Sequence, residues 1–185
     1  MSESDMVMGE YLRPAYLHVK NKLGYGTRGV LIGAYNGVAA EFVYNGLKPS
    51  AFYLLDPYVP YRDDTYVQSN WDKAYISLVS KFKDKKDVII LKRKSEDIYS
   101  AFPDEYFDFV YHDGDHKYDH MMMDLETWWP KIKVGGVIGG HDYNDGLGVA
   151  QAAKDFSSKM GLPFEHSLDM VIGKDSIEDW WMDKV

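Results

Sequence analysis

The stretch VLIGAYNGVAAEFV, residues 30–43, runs from an apolar strand through a glycine-bearing turn into a helical pattern. Two glycines, Gly33 and Gly37, delimit the turn, and between them lie Ala34, Tyr35 and Asn36. A strand that leads through such a turn into a helix is typical of proteins that hold a nucleotide-like cofactor there. The stretch therefore predicts an α/β sheet with a cofactor site, and it leaves open which cofactor the turn holds.

The rest of the chain alternates between short apolar runs and helical stripes of apolar residues. Strands are predicted at 29–34, 51–56, 87–92, 106–113 and 136–143, with shorter candidates at 164–168 and 170–174. Helices are predicted at 6–23, 37–47, 71–82, 95–102, 118–129 and 149–160. Such alternation indicates right-handed β-α-β crossovers. The predicted fold is α/β, doubly wound and Rossmann-like, with a mostly parallel seven-stranded sheet and helices on both faces.

Length and composition indicate one domain. A chain of 185 residues, of which 45% are hydrophobic, is long enough to bury one substantial core. We expect a leading helical segment at 1–28, a Rossmann-like core at 29–175 and a C-terminal tail at 176–185. Trp180 and Trp181 in that acidic tail are expected to close the site, pack on the core or form a homo-oligomer contact, and the sequence does not choose among these roles.

Charge and cysteine content narrow the classes of function. The chain carries 21 basic and 29 acidic residues, so a nucleic acid is not an expected partner. The absence of cysteine excludes disulfides, thiolate zinc sites and cysteine nucleophiles. The acidic start lacks a signal-peptide pattern, and no run approaches the ~18 apolar residues of a membrane span. We expect a cytoplasmic protein without a membrane partner.

Tyr35 argues against a dinucleotide at the glycine turn. The fingerprint G-x-G-x-x-G needs a glycine at its middle position so that the backbone can approach a pyrophosphate. Tyr35 holds that position, where its phenol would obstruct a pyrophosphate. A cofactor without phosphate, such as S-adenosylmethionine, needs less room and no anion-binding helix end. The turn therefore favours S-adenosylmethionine over NAD, although Gly33 and Gly37 would also suit a tight turn that holds no ligand.

Acidic residues follow the next two strands. Asp56 closes the second predicted strand, 23 positions after Gly33, where a carboxylate can accept both hydroxyls of a ribose. An aspartate before a proline is also a common turn residue. Ser95, Glu96 and Asp97 follow the third strand and could reach an adenine amino group, but they equally suit the first turn of a helix. The spacing of Asp56 from Gly33 fits any adenosine-containing cofactor, so it does not discriminate between them.

The densest polar cluster joins HDGDH, residues 112–116, with GGHDY, residues 139–143. If strands four and five are adjacent, their ends lie ~5 Å apart. The side chains that then share one rim are Asp113, Asp115, His116, His141 and Asp142. Converging carboxylates repel each other unless a cation or a proton intervenes. Oxygen ligands favour magnesium or calcium, a histidine ligand favours manganese or iron, and the alternative is a turn that caps the next helix.

The segment FDFVYHDGDHKYDHMMMDLETWWPKIKVGGVIGGHDY, residues 107–143, carries the most specific pattern in the chain. It resembles class I S-adenosylmethionine-dependent methyltransferases, and among them the small-molecule O-methyltransferases of the macrocin and cephalosporin-biosynthesis type. In that family Asp-Gly-Asp-His closes strand four, a helix ending in Trp-Trp-Pro follows, and a Gly-Gly-x-Ile-x-Gly-His-Asp-Tyr strand comes next. The resemblance extends from about Gly29 to Tyr143.

The resemblance implies where the cofactor lies. Gly33 and Gly37, with the three residues between them, would face the methionine part of S-adenosylmethionine, and Asp56 would face the ribose. Residues 95–97 would meet the adenine, and Asp113 is also expected beside the cofactor.

The resemblance also implies a metal site and a base. In metal-dependent relatives the acid that closes strand four and the polar pair that closes strand five hold magnesium, which points to Asp113, His141 and Asp142. The general base lies two or three positions after the first metal ligand, at Asp115 or His116.

Two positions depart from the family pattern. Leu31 stands two residues before Gly33, where relatives commonly carry an acid, so a weaker hold on the cofactor's amino-acid end is expected. His141 stands where relatives more often carry an acid. The ligand set at this position therefore departs from that of the metal-dependent relatives.

The predicted function is S-adenosylmethionine-dependent methylation of a hydroxyl oxygen on a small molecule. The enzyme must align the acceptor with the activated methyl group and remove a proton, and a Mg²⁺ or Mn²⁺ ion would lower the acceptor's pKa. The alternatives are an NAD-dependent oxidoreductase, a methyltransferase-like domain that binds without turnover, and a zinc hydrolase suggested by HKYDH, residues 116–120. In that last motif Lys117 replaces the catalytic glutamate.

Overall fold

The computed structural model describes residues 13–60, 68–143, 148–167, 170–172 and 175–185. The helices are α1 (Pro14–Leu23), α2 (Val38–Leu47), α3 (Gln68–Phe82), α4 (Ser95–Ile98), α5 (Tyr118–Trp128) and α6 (Gly148–Met160). Single 3-10 turns follow α4 and α5, at Tyr99–Ala101 and Trp129–Lys131. The strands are β1 (Arg28–Ile32), β2 (Ala51–Leu55), β3 (Val88–Leu91), β4 (Phe107–His112), β5 (Ile132–Gly140), β6 (Glu165–His166), β7 (Met170–Ile172), β8 (Asp175–Ile177) and β9 (Trp180–Asp183).

Seven of these strands form one twisted sheet in the order β3-β2-β1-β4-β5-β9-β6. Strands β1 to β5 are parallel, and β9 runs antiparallel to both β5 and β6. The chain moves outward from β1 through β2 to β3 and then returns to β4 on the other side of β1. The strand order therefore reverses between β1 and β4, where ligands bind in sheets of this kind. The predicted doubly wound, mostly parallel fold is confirmed.

Strand β1 shows how the sheet divides the core into two layers. Val30 and Ile32 belong to the cluster formed with α5 and α6. Leu31 belongs to the cluster on the opposite face, which contains residues of α1, α2 and α3. Because successive side chains of a strand point to opposite faces, a strand covered on both sides reads as a continuous apolar run. This explains why the sequence carried the strand signal so clearly here.

The C-terminal residues correct the expected tail at 176–185. Trp180–Asp183 form β9, which pairs with β5 from Val137↔Asp183 to Gly140↔Trp180. Trp180 is fully buried, so core packing is its role among the three considered. The strand was missed because it is only four residues long and lies among acidic residues. One of those acids, Asp179, is itself buried and accepts hydrogen bonds from the Ala15 N–H and the Tyr111 hydroxyl.

Other boundaries differ more modestly. Strand β5 begins at Ile132, four residues before its predicted start, and the second short candidate, 170–174, contributes β7, which pairs with β8 in a separate two-stranded sheet. The predicted helix at 95–102 is α4 followed by a 3-10 turn. The first part of the predicted helix at 6–23 lies outside the described residues. Within the described ranges, none of the helices has the length and apolar character required to cross a membrane.

Candidate active site

The carboxyl ends of β1 to β4 open into a cleft of about 520 Å³ at the point where strand order reverses. The predicted site residues that line it are Gly33, Ala34, Tyr35, Asn36, Asp56, Ser95, Glu96, Asp113, Asp115 and His116. Gly37, His141 and Asp142 are not among the lining residues, and neither is Asp97, which is exposed. The structure thus brings residues from four separate strand ends into one cleft.

Gly33 is the point of closest approach between the β1 turn and the loop after β4. Its φ is +89°, and a Cβ built on it would lie 2.1 Å from the carbonyl oxygen of Asp113. The N–H groups of Gly33 and Ala34 both donate to the carbonyl of Leu55, at 2.8 and 3.2 Å. Because only a residue without Cβ fits here, the glycine allows the β1 turn to pack directly against the loop after β4.

Three more N–H groups at the turn are already engaged by the protein itself. Tyr35 N–H donates to Asp56 Oδ2 at 3.0 Å, and Val38 N–H donates to Asn36 Oδ1 at 3.1 Å. Gly37 N–H donates to the carbonyl of Ala34 at 2.9 Å. A phosphate bound at a helix N-terminus needs such groups unpaired. The geometry therefore agrees with the interpretation that this turn is not built for a pyrophosphate.

Asp56 follows β2 and is held rigidly at the cleft. Its Oδ1 accepts the Tyr58 N–H at 2.8 Å, its Oδ2 accepts the Tyr35 N–H, and the side chain is buried. Burial raises the pKa of Asp56, while the two backbone hydrogen bonds oppose that rise. Each carboxylate oxygen can accept a second hydrogen bond. Asp56 is thus oriented with acceptor capacity left for a pair of hydroxyl groups.

Asp113, His141 and Asp142 converge at the rim, as the sequence predicted. Each offers one ligand atom, and these atoms all lie within 4.8 Å of one another. The register of the sheet causes this, since β4 and β5 are hydrogen-bonded neighbours and pair His112 with Gly140 at their ends. Asp142 adopts a left-handed conformation, with φ of +57°. Two carboxylates and an imidazole form a donor set that a divalent cation such as Mn²⁺ or Mg²⁺ accepts.

Within this cluster the acids differ in their electrostatic surroundings. Burial favours a higher pKa for Asp142, but hydrogen bonds with His116 and His141 outweigh burial and hold its pKa well below the usual range. Burial raises the pKa of Asp113, and the nearby Arg13 only partly offsets it. Burial alone would lower the pKa of His141, but its hydrogen bond to Asp142 and the carboxylate charges raise it. Asp142 is therefore the carboxylate held most firmly in its charged form.

The two candidates for the base have different partners. His116 Nε2 lies 2.9 Å from Asp142 Oδ2. Asp115 Oδ1 accepts the Lys117 N–H at 3.1 Å, and Asp115 Oδ2 lies 2.7 Å from His120 Nδ1. His116 precedes α5, which begins at residue 118, so the two histidines do not share a helix face. The zinc-hydrolase interpretation of HKYDH therefore finds no support in the structure.

Sequence reasoning missed Arg13, which lines the cleft from the residue preceding α1. Its Nη1 lies 3.4 Å from the Tyr111 hydroxyl and 3.8 Å from Asp113 Oδ2. A hundred residues separate Arg13 from Asp113 in the chain, and no local pattern links them. Only the packing of α1 against the sheet brings this cation to the site.

Asp124 was also missed, although the sequence held a signal for it. This acid lies within the apolar stripe of α5, between Met121 and Leu125, and it is only 6% exposed. Its Oδ2 is 2.8 Å from His112 Nε2, and its buried Oδ1 has no hydrogen-bond partner among the described residues. It lines the cleft as well. A charged residue on the buried face of a helix is uncommon without a partner or a ligand.

Comparison with known proteins agrees with this geometry. The sequence profile of a family described as methyltransferase domain matches residues 30–143, more than half of the chain. No curated protein matches the chain. Among solved structures it is similar to a protein from Corynebacterium glutamicum, with 15% identity, a TM-score of 0.65 and coverage of 98% of this chain and 81% of that one.

Two further solved structures carry functional names. The tRNA (m1A58) methyltransferase of Aquifex aeolicus has 11% identity and a TM-score of 0.64, with coverage of 100% of this chain and 76% of that one. Fibrillarin from Aeropyrum pernix, with natively bound S-adenosyl-L-methionine, has 12% identity and a TM-score of 0.59, with coverage of 97% and 72%. At these identities the likeness shows the fold alone. By the profile match, the chain belongs to the methyltransferase domain family, and the prediction of an S-adenosylmethionine-dependent methyltransferase is confirmed.

Proposed function

We propose that the protein transfers a methyl group from S-adenosylmethionine to a hydroxyl oxygen of a small molecule, with the help of a divalent cation. The observation that carries this proposal is the convergence of Asp113, His141 and Asp142, since Asp113 also packs against the glycine turn. A hydroxyl is a poor nucleophile until its proton is removed, and a cation with a neighbouring base meets that need. The net charge of −8 speaks against an RNA acceptor.

The cleft suits the cofactor in size and in polar groups. Asp56 would accept the two ribose hydroxyls through its remaining lone pairs, and Ser95 and Glu96 would face the adenine. The turn from Gly33 would lie against the methionine part. The unpartnered Asp124 Oδ1 supports a ligand here, because a buried acceptor without a donor carries a desolvation cost that a bound donor group would remove. When bound, the cofactor supplies a methyl group that is already activated as a sulfonium.

The rim cluster has the donors that a cation requires. Asp113, His141 and Asp142 would hold Mg²⁺ or Mn²⁺, and the imidazole favours manganese. The low pKa of Asp142 keeps that carboxylate charged at neutral pH, as a metal ligand must be. His116 contacts Asp142 and would fix its orientation, as hydrogen-bonded neighbours of metal ligands commonly do. The cation would lower the pKa of an acceptor hydroxyl.

His116 is the better placed of the two candidate bases. Asp142 lies against its Nε2 and would fix the ring and stabilise the imidazolium that forms when the proton is taken up. Asp115 already contacts neighbouring groups through both carboxylate oxygens, the Lys117 N–H through Oδ1 and His120 through Oδ2. We therefore assign proton removal to His116 and a loop-ordering role to Asp115.

Replacing each candidate base separately tests this assignment. His116→Gln is expected to lower the turnover number by about 100-fold or more, the usual contribution of a positioned base, whereas Asp115→Asn should lower it less than tenfold. Turnover is measured as S-adenosylhomocysteine formed with a panel of sugar, phenol and carboxylate acceptors. Calorimetric affinity for S-adenosylhomocysteine should stay unchanged in both variants. The reverse ranking would assign the base to Asp115, and full turnover in both variants would refute this active site.

Metal binding is expected to depend on Asp142. In the wild type, Mn²⁺ titration followed by electron paramagnetic resonance should show one bound ion, and chelation should lower turnover. Asp142→Asn should abolish that binding, because it removes a charged ligand. Asp119→Asn, at an exposed position on α5, serves as the charge-matched control and should bind Mn²⁺ normally. Equal binding by Asp142→Asn and the control would contradict the proposed metal site.

A further inference from the structure

Leu31 occupies a position where the methyltransferases that this chain resembles commonly carry an acid. That acid would contact the amino-acid end of the cofactor, and leucine cannot. Its side chain is fully buried in the cluster that lies under α1, α2 and α3. No rotation of an apolar side chain in that position can offer a hydrogen bond to an ammonium or a carboxylate. If the cofactor binds as proposed above, another residue must hold the zwitterionic end of its methionine part.

Arg13 is the candidate for that role, because it lines the cleft next to Asp113. Its guanidinium contacts Asp113, and the backbone carbonyl of Asp113 makes the close approach to Gly33. Arg13, Gly33 and Ala34 line the same cleft. Among the described residues, the hydrogen bond of Arg13 runs through Nη1 alone and is long, at 3.4 Å to the Tyr111 hydroxyl. A third of the side chain is exposed, and the side chain is one of those that line the cleft.

The start of α1 is anchored firmly enough to hold a binding residue in place. Ala15 N–H donates to the buried carboxylate of Asp179 at 3.1 Å. The ring of Tyr16 stacks on Tyr111 with ring centroids 4.1 Å apart, and both rings are buried in the core. These contacts fix the backbone next to Arg13 against β4 and against the residue that precedes β9. Little conformational freedom of the backbone would be lost when a ligand binds there.

We propose that Arg13 binds the α-carboxylate of the cofactor's methionine part. The planar guanidinium presents paired N–H donors that match a carboxylate, and such charge-assisted pairs are among the stronger hydrogen bonds in proteins. In this chain, the amino-acid end is bound by Arg13, which precedes α1, and not by a side chain near the end of β1. This inference rests on the proposed function, since it concerns the same cofactor.

Two ligands that differ only at the amino-acid end test the proposal. S-Adenosylhomocysteine carries the carboxylate, and 5′-methylthioadenosine lacks the whole amino-acid part. In isothermal calorimetry, Arg13→Gln is expected to weaken S-adenosylhomocysteine binding by about 10- to 100-fold, the usual effect of losing a hydrogen-bonded charge pair. Binding of 5′-methylthioadenosine should change less than twofold. Arg13→Lys, which keeps the charge without the paired donors, should fall between Arg13→Gln and the wild type.

Arg93→Gln is the matched control, because Arg93 lines the same cleft from the loop after β3 and is exposed. It should not discriminate between the two ligands. An equal loss for both ligands in Arg13→Gln would overturn the proposal and indicate a structural role, and unchanged binding of both would overturn it as well. If the wild type binds neither ligand, the proposed function itself fails, which is a distinguishable result.

Discussion

Gly33→Ala is expected to lower the free energy of unfolding by about 4 kcal/mol, the sum of backbone strain and forced overpacking. The φ of +89° is unfavourable for any residue with a Cβ, and that Cβ would lie 2.1 Å from the backbone oxygen of Asp113. Backbone on both sides leaves no flexible side chain to move away. Either the β1 turn or the loop after β4 must shift, so cofactor binding should be lost together with stability.

Gly135→Ala separates the two contributions. Gly135 also has a positive φ, +85°, but a Cβ there would meet nothing within 4 Å. Its alanine variant should lose only about 1–2 kcal/mol, from backbone strain alone. Urea unfolding of both variants at neutral pH measures the difference. Equal losses would mean that the close approach of the two loops does not exist in solution.

His112→Leu is expected to cost about 3–5 kcal/mol, because it removes the partner of a buried carboxylate. Asp124 Oδ2 would lose its contact with His112 Nε2, and Oδ1 already has no hydrogen-bond partner among the described residues. Both side chains are buried between β4 and α5. A leucine side chain offers no donor in place of the imidazole, so Oδ2 would lose its partner inside the protein.

A second histidine–aspartate pair, which also has one member on α5, provides the control. His120 Nδ1 lies 2.7 Å from Asp115 Oδ2, but half of the His120 side chain is exposed. His120→Ala should change stability by no more than about 1 kcal/mol, as surface pairs usually do. The double variant His112→Leu with Asp124→Leu should recover most of the loss, because it leaves no buried charge behind. A loss as large as that of the single variant would assign the effect to packing rather than to the charge.

The parts of the fold that follow from local pattern were predictable. The apolar run of β1, the glycine turn and the helical stripe of α2 each carry their signal within a few residues, because strand and helix periods are local properties. The rim cluster was also predictable, since strand ends in a doubly wound sheet meet at one edge. Strand β9 escaped because four residues among acids hold no recognisable period, and its pairing with β5 depends on contacts across the sheet.

The sequence by itself determined the fold class, the cofactor turn and the residue types that chemistry would need at the strand ends. These features were predictable because each is encoded by residues that lie close together in the chain. Only the tertiary structure decided that Arg13 reaches Asp113, and that Asp124 is buried against His112. The first contact joins residues far apart in the chain, and the second joins a strand to the helix packed on it. Both depend on burial in the folded structure, which a short segment of sequence does not contain.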